Sequence, residues 1–412
     1  NIHSFYILIK VTWEDNMTIQ KIVAAFAFAA LGASNVFAAG MERTRLPTSM
    51  MFEEGNYASL SFSSTAPDVT DNRYAPSKSM YTDYSSVTGT FKTQLNEKLS
   101  VGLARYQSEG IDLSYVNSGS TFSGLGGPTN FKNYPYVDLC SLPGATCSGA
   151  QIAQLTAFGN MNEPYVNLKV VSTALMFGYK VKDDVTVIAG VKHSAGSATA
   201  DVVSSPYGDG THDKSTDTAI ILGASFEKPE IALRATLIYQ AKAEFSHSAK
   251  TVLPTIGVTS VLTNTKSATP ERLTLDFQTG IAKDTLLFGS IHHAKWSDAH
   301  IYFDGSATPK STWTTTNSFS LGIGRKLSDT WAISASLNKE AASEATGSSL
   351  LSTTDGVTGI TLGGKYTRDN MTITAGVNKS KLGDKTVTSI AGAGTFSGNS
   401  ATTFGFKIGF KL

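Results

Sequence analysis

The sequence predicts an all-β protein, a transmembrane antiparallel β-barrel of about fourteen strands preceded by a short N-terminal plug-like segment. Three observations carry this. Only 16% of the 412 residues are charged, against about 25% in ordinary soluble domains. Apolar residues recur with a period of two through to the last residue, as in Phe404, Phe406, Ile408 and Phe410 against Gly405, Lys407, Gly409 and Lys411. Short polar connections alternate strictly with long ones, which a barrel with tight turns on one side of a membrane and loops on the other requires.

The elements follow in order. Residues 1–16 lack an initiator methionine and read as an upstream extension that is not part of the native protein. Residues 17–38 have the layout of a signal peptide: Lys21 in a short n-region, an apolar run from Ile22 to Gly32, and small residues up to Ala38. That run is too short for a spanning helix. Residues 39–55 form the plug-like segment and 56–412 the barrel. Alternation places strands at 57–65, 82–94, 99–107, 167–181, 184–203, 216–227, 230–247, 271–283, 285–304, 315–327, 330–343, 357–368, 371–383 and 402–412. Each is long enough to cross a bilayer as a tilted strand. The long connections fall at 66–81, 108–166, 204–215, 248–270, 305–314, 344–356 and 384–401.

Strand parity separates a lipid face from a lumen face. Charges facing lipid cost about 2–4 kcal/mol at mid-bilayer, so Lys192, Arg234, Lys242 and Arg272, lying opposite apolar faces, are expected in the lumen. As lumen cations they are candidates for holding a ligand carboxylate. Cys140 and Cys147 flank a Pro-Gly turn and are expected to form a disulfide after export. Loop 108–166 carries a large apolar and aromatic content, with Phe122, Phe131, Tyr134, Tyr136 and Phe158 among it. Its length points to function or disorder.

Met51–Phe62 (MFEEGNYASLSF), Ile231–Tyr239 (IALRATLIY), Thr269–Ser290 (TPERLTLDFQTGIAKDTLLFGS) and Ala294–Asp298 (AKWSD) resemble the FadL family of outer-membrane transporters for long-chain fatty acids and other hydrophobic compounds. The resemblance implies a fourteen-stranded barrel in the bacterial outer membrane. The terminal aromatic alternation resembles the signal that barrel-assembly machinery reads, with Leu412 in place of the usual Phe. The family resemblance also implies an N-terminal plug, ligand capture at extracellular loops, and a kink in the third strand that opens a lateral route to the outer leaflet. The chain departs from the family in its brief plug and in lacking the Asn-Pro-Ala stretch common there.

The expected partners are a long-chain fatty acid or hydrophobic small molecule and outer-membrane lipid. The alternative is a general diffusion porin with an open aqueous lumen. A porin expects an acidic inward loop, and 108–166 offers few acids: Glu109, Asp112, Asp138 and Glu163. No enzyme, cofactor or metal site is expected. The histidines sit in no nucleophile motif, there is no Gly-x-Ser-x-Gly elbow, and no phosphate loop is present. A near-balanced charge of 34 basic to 33 acidic residues gives no nucleic-acid surface.

Overall fold

The computed structural model describes residues 40–412, except 73–74, 76–77, 116–164, 202–209, 254–257, 303–308, 310, 344–345 and 390–391. The signal-peptide residues, the Cys140–Cys147 pair and the aromatic part of loop 108–166 lie outside the described residues.

The chain forms a closed antiparallel barrel. Its strands are β1 (Tyr57–Asp68), β2 (Tyr84–Gln94), β3 (Leu99–Ser114), β4 (Tyr165–Lys182), β5 (Val185–Asp201), β6 (Gly210–Lys228) and β7 (Leu233–Gln240). They continue with β8 (Arg272–Ala282), β9 (Thr285–Ala294), β10 (Thr316–Lys326), β11 (Trp331–Glu340), β12 (Val357–Arg368), β13 (Met371–Leu382) and β14 (Ser400–Lys411). Each pairs with its chain neighbours, and β1 closes on β14 from Tyr57↔Lys411 to Asp68↔Ser400. Closure joins the first strand to the last, as a sheet that spans lipid requires.

Outward positions carry Leu60, Phe62, Phe177, Leu222, Leu321, Leu362 and Phe404, all exposed to the surroundings of the barrel. Most intervening positions are small or polar and face in, with Tyr106, Met176, Ile188, Ile221 and Ile238 as large exceptions. An aromatic pair, Trp331 and Tyr366, lies 4.9 Å apart at the short-turn rim, where amphipathic rings favour a membrane interface. The short turns use Asp284 and Asp369 in left-handed conformation, which aspartate tolerates better than most residues.

Several strands run past the ends that alternation marks. β3 continues to Ser114, because from Ser108 to Ile111 every residue is buried and the alternation vanishes. The connection expected at 248–270 is largely a hairpin, Ala243–Leu253 with Val258–Thr269, rising beyond β7 and β8. β9 ends at Ala294 rather than 304, giving way to a short 3-10 turn, Trp296–Asp298. A smaller sheet of Thr346–Gly347, Lys385–Ser389 and Gly392–Phe396 lies among the long loops.

Residues 41–52 lie inside the barrel. Thr48–Phe52 forms one 3-10 turn, and Leu46, Met50 and Met51 pack on Tyr106, Met176, Ile188 and Ile221 of the β3–β6 wall. A Cβ on Gly102 would sit 2.4 Å from Met51 Sδ and 2.8 Å from Met50 Cε, so the bare backbone there makes room for both methionines. At the short-turn end, Lys92 Nζ donates to the carbonyls of Glu53 and Gly55 at 2.8 and 2.9 Å. Gly55, at φ +64°, reverses the chain into β1 in a backbone conformation that glycine adopts freely.

Candidate functional site: a layered lumen and a seam in its wall

The interior has three levels. Toward the long loops it is apolar, with Phe245, Trp296, Trp313, Leu113, Met80 and Phe396 buried in one cluster. Trp296 and Trp313 meet edge to face at 5.6 Å. Toward the short turns lies a cavity of about 240 Å³ whose wall mixes hydroxyls, Ser59, Ser63, Ser86, Thr88, Thr236, Ser320, Ser336 and Thr374 among them, with Phe277, Phe288 and Phe406. Residues 44–50 and Phe52 close its other side.

Between these levels sits a buried layer of charge. Glu42 Oε1 lies 3.0 Å from Arg272 Nε, and Glu42 Oε2 lies 3.2 Å from His292 Nε2. Arg272 Nη2 also donates to Glu109 Oε1 at 2.5 Å. The Arg272 Cζ lies over the Trp296 ring, 5.6 Å from its centroid. His292 Nδ1 pairs with Thr274 Oγ1 at 2.8 Å, while Arg45 reaches Ser290 at 3.1 Å. Glu109 is further held by Ser108, from which hydroxyl contacts run on to Ser172 and Ser194.

Burial alone would raise the Glu42 carboxyl, but His292 and Arg272 outweigh it and hold the group below the usual carboxylate range. The segment carrying Glu42 is thus tied by charge to β8 and β9, and Arg272 carries the same layer on to Glu109 of β3. A buried ion pair adds little net stability over an apolar substitute, yet breaking one by removing a partner costs about 3–5 kcal/mol.

The wall has a seam at the same level. β2 and β3 pair from Gln94↔Ser100 up to Gly89↔Arg105 and no further. Just beyond, β3 carries a bulge between Gln107 and Glu109 in its pairing with β4. Contact between this stretch of chain and β3 resumes above, where Thr82 N–H donates to the Asp112 carbonyl at 3.1 Å and Tyr81 bridges Leu113. Between these limits β3 pairs with the N-terminal segment instead. Arg43 N–H donates to Ser108 O at 2.8 Å, Gly110 N–H donates to Met41 O at 2.8 Å, and Glu42 bridges Glu109. The Arg43 guanidinium covers the Tyr84 ring of β2 at 3.4 Å. Met41–Arg43 therefore fill a gap in the wall with backbone and side chains.

The four lumen cations expected from parity are not brought to one point. Arg272 is in the charged layer, already facing two carboxylates. Lys192 is fully buried and donates to Gln240 Oε1 at 3.4 Å. Arg234 lies lower, over the Phe52 ring at 4.5 Å and donating to Gln278 at 3.2 Å. Lys242 is outside the lumen, paired with Glu244 at 2.6 Å on the exterior. The reason is a break after Gln240: when the strand resumes at Ala243, parity has shifted, and Ala243 and Phe245 take the inner face.

Glu42, Glu109 and His292 were not singled out by sequence reasoning. Glu42 lies in a segment without periodicity, and Glu109 was counted as a loop acid. His292 was within reach: Leu286, Ser290, His292 and Ala294 share the inner face opposite Leu287 and Ile291.

No protein-family model matches the sequence, and no curated relative matches it. Solved structures do. The barrel is similar to a FadL homologue of Pseudomonas aeruginosa, with a TM-score of 0.61 and 12% identity over 92% of this chain and 93% of that one. It is also similar to the toluene transporter TodX of Pseudomonas putida, at TM-score 0.58 and 14% identity over 90% and 95% of the two chains. CymD, a monoaromatic hydrocarbon channel, matches at TM-score 0.52 and 12% identity, covering 89% and 90%. At these identities the likeness is one of fold.

Proposed function

We propose that this protein is a passive outer-membrane transporter of hydrophobic compounds, long-chain fatty acids or similar amphiphiles, working through a FadL-like barrel. The observation that carries the reading is the seam between β2 and β3, stopped by Met41–Arg43 where the apolar interior ends. An apolar ligand captured at the long loops would move down through Phe245, Trp296 and Trp313. Entering the cavity below would set it against many hydroxyls and the charged Arg234, Asp276 and Lys407, so an apolar ligand gains less there than among the aromatic side chains above. Sideways passage through the seam delivers it to lipid without that loss. The family resemblance and the solved neighbours, among them channels for toluene and monoaromatic hydrocarbons, support the same reading.

For a fatty acid, the head group needs a cation not already neutralised. Lys192 fits best, since among the described residues it faces a neutral amide and no carboxylate within ion-pair distance. Arg234 is a second, lower candidate; Arg272 serves the plug instead.

The test is a lock. Arg43→Cys with Ser108→Cys should oxidise to a crosslink that pins the segment in the seam. Ligand uptake into cells should then stop and return on reduction. Uptake that continues through the oxidised barrel would remove the seam as the route. The diffusion-porin alternative is favoured by the hydroxyl-rich cavity alone. A large, steady single-channel conductance without ligand binding would install it in place of the transporter.

A further inference from the structure

The outer face of the barrel changes character abruptly near the long-loop rim. On β11 the outward positions run Trp331, Ile333, Ala335, Leu337 and then Lys339; on β13 they run Met371, Ile373, Ala375, Val377 and then Lys379 and Lys381. All three lysines are exposed. The ladder puts Lys339 and Lys381 on either side of Thr358 in one row, since Thr358 pairs with both. Strand spacing of roughly 4.8 Å sets the two lysine backbones about 10 Å apart. Lys379 stands two residues below Lys381, beside Thr402 of β14. Four-carbon stems let these ammonium groups converge on one small anion.

Elsewhere on the same rim Lys242 pairs with Glu244 and Lys295 with Glu271, both at 2.6 Å, while Lys169 stands exposed and alone on β4. Like it, the β11–β13 lysines have no carboxylate within ion-pair distance among the described residues. Glu340, the acid next to Lys339, points inward to Ser318 at 3.1 Å. Asp384, beyond the end of β13, accepts from Gly398 N–H at 3.2 Å. Like charges gathered on one sheet face repel, and three of them directly above an apolar belt face the head-group level of the membrane.

We propose that Lys339, Lys379 and Lys381, with Thr358 and Thr402, form a binding site for the phosphate groups of a phosphorylated outer-leaflet lipid. The lipid's acyl chains would lie along Leu337, Ile360, Val377 and Phe404, the outward residues next below the cations. This rests on the outer-membrane placement of the barrel, with its long loops outermost, and is independent of what the lumen carries.

The probe is purified lipopolysaccharide carrying phosphorylated lipid A, titrated onto delipidated barrel in detergent and read by native mass spectrometry. One lipid should bind per barrel. Lys339→Gln/Lys379→Gln/Lys381→Gln should weaken it about a hundredfold and Lys379→Gln alone about fivefold, while Lys295→Gln leaves it unchanged. Altered mobility on unheated gels verifies that each variant is a closed barrel, and uptake by the same variants keeps failure of this site distinct from failure of the transport reading. Equal binding by the triple variant, or by lipid stripped of its phosphates, would overturn the proposal. So would full displacement of the lipid by millimolar inorganic phosphate.

Discussion

The two halves of the lumen share one wall and differ in what fills them. Above the charged layer Leu113 of β3 is joined by Phe245 of the hairpin beyond β7 and Trp296 of the 3-10 turn after β9, and these large side chains pack together. Below it the barrel strands present many Ser and Thr residues, and beside the plug a cavity remains. The contrast teaches that the barrel wall does not by itself decide between a channel and a transporter. The level at which Arg272 links Glu42 and Glu109 divides an aromatic compartment from a more polar one, and the β2–β3 pairing is interrupted beside that level.

The largest effect should come from exchanging inside for outside. Leu362→Arg places a charge in the lipid belt and should cost about 2–4 kcal/mol, abolishing heat-modifiable barrel on gels. Ile373→Arg should behave alike. Thr361→Arg, at a position lining the lower cavity, and Thr372→Arg should still assemble. Equal yields would mean the inner and outer faces are reversed.

Next in size is the divide itself. Glu42→Ala leaves Arg272 with Glu109 alone and should loosen the plug by up to about 3–5 kcal/mol. Hydrogen exchange across residues 41–53 should accelerate and conductance should rise, with barrel assembly unchanged. Unaltered exchange would show that apolar packing, not charge, holds the segment. Gly102→Ala should act on that packing. Its methyl must displace Met51 and Met50, costing about 1–3 kcal/mol and again registering as faster exchange in 46–52.

The smallest effect near neutrality is that of pH. Because the Glu42 carboxyl is depressed in the folded state, its contribution is complete above the usual carboxylate range of roughly pH 4. It is lost only as pH falls through the lower, folded value. Conductance should therefore stay flat from pH 8 to about pH 5 and rise only in stronger acid. A rise near pH 6 would assign the latch to a group other than Glu42.

The barrel was legible in the sequence because a membrane forces period-two alternation wherever one face meets lipid. Legibility failed where that rule lapses. β3 beyond Gln107 is buried on both faces and reads as loop; the break after Gln240 moved Lys242 from the expected lumen to the exterior. Inward placement of Lys192, Arg234 and Arg272 follows from parity, but what they meet does not. Arg272's partners are separated from it by 163 residues at Glu109 and by more at Glu42, and no local pattern encodes such a meeting. The plug's position is harder still to read, since Met41–Arg43 have no alternation and borrow their hydrogen bonds from a strand edge.

The closure of β1 on β14 carries a consequence for how the molecule comes into being. This ladder joins residues nearly the whole barrel apart in sequence, from Tyr57↔Lys411 to Asp68↔Ser400, and contacts of such separation form late because the chain entropy of closing so large a loop must be met first. The segment that ends inside the barrel leads directly into β1, one of the two strands that must meet. It has to be swept into the interior before or while that ladder zips, as a drawstring is tucked in before the bag is tied. An assembly intermediate arrested before closure should therefore show residues 41–53 open to protease, and their protection should arrive together with resistance to detergent.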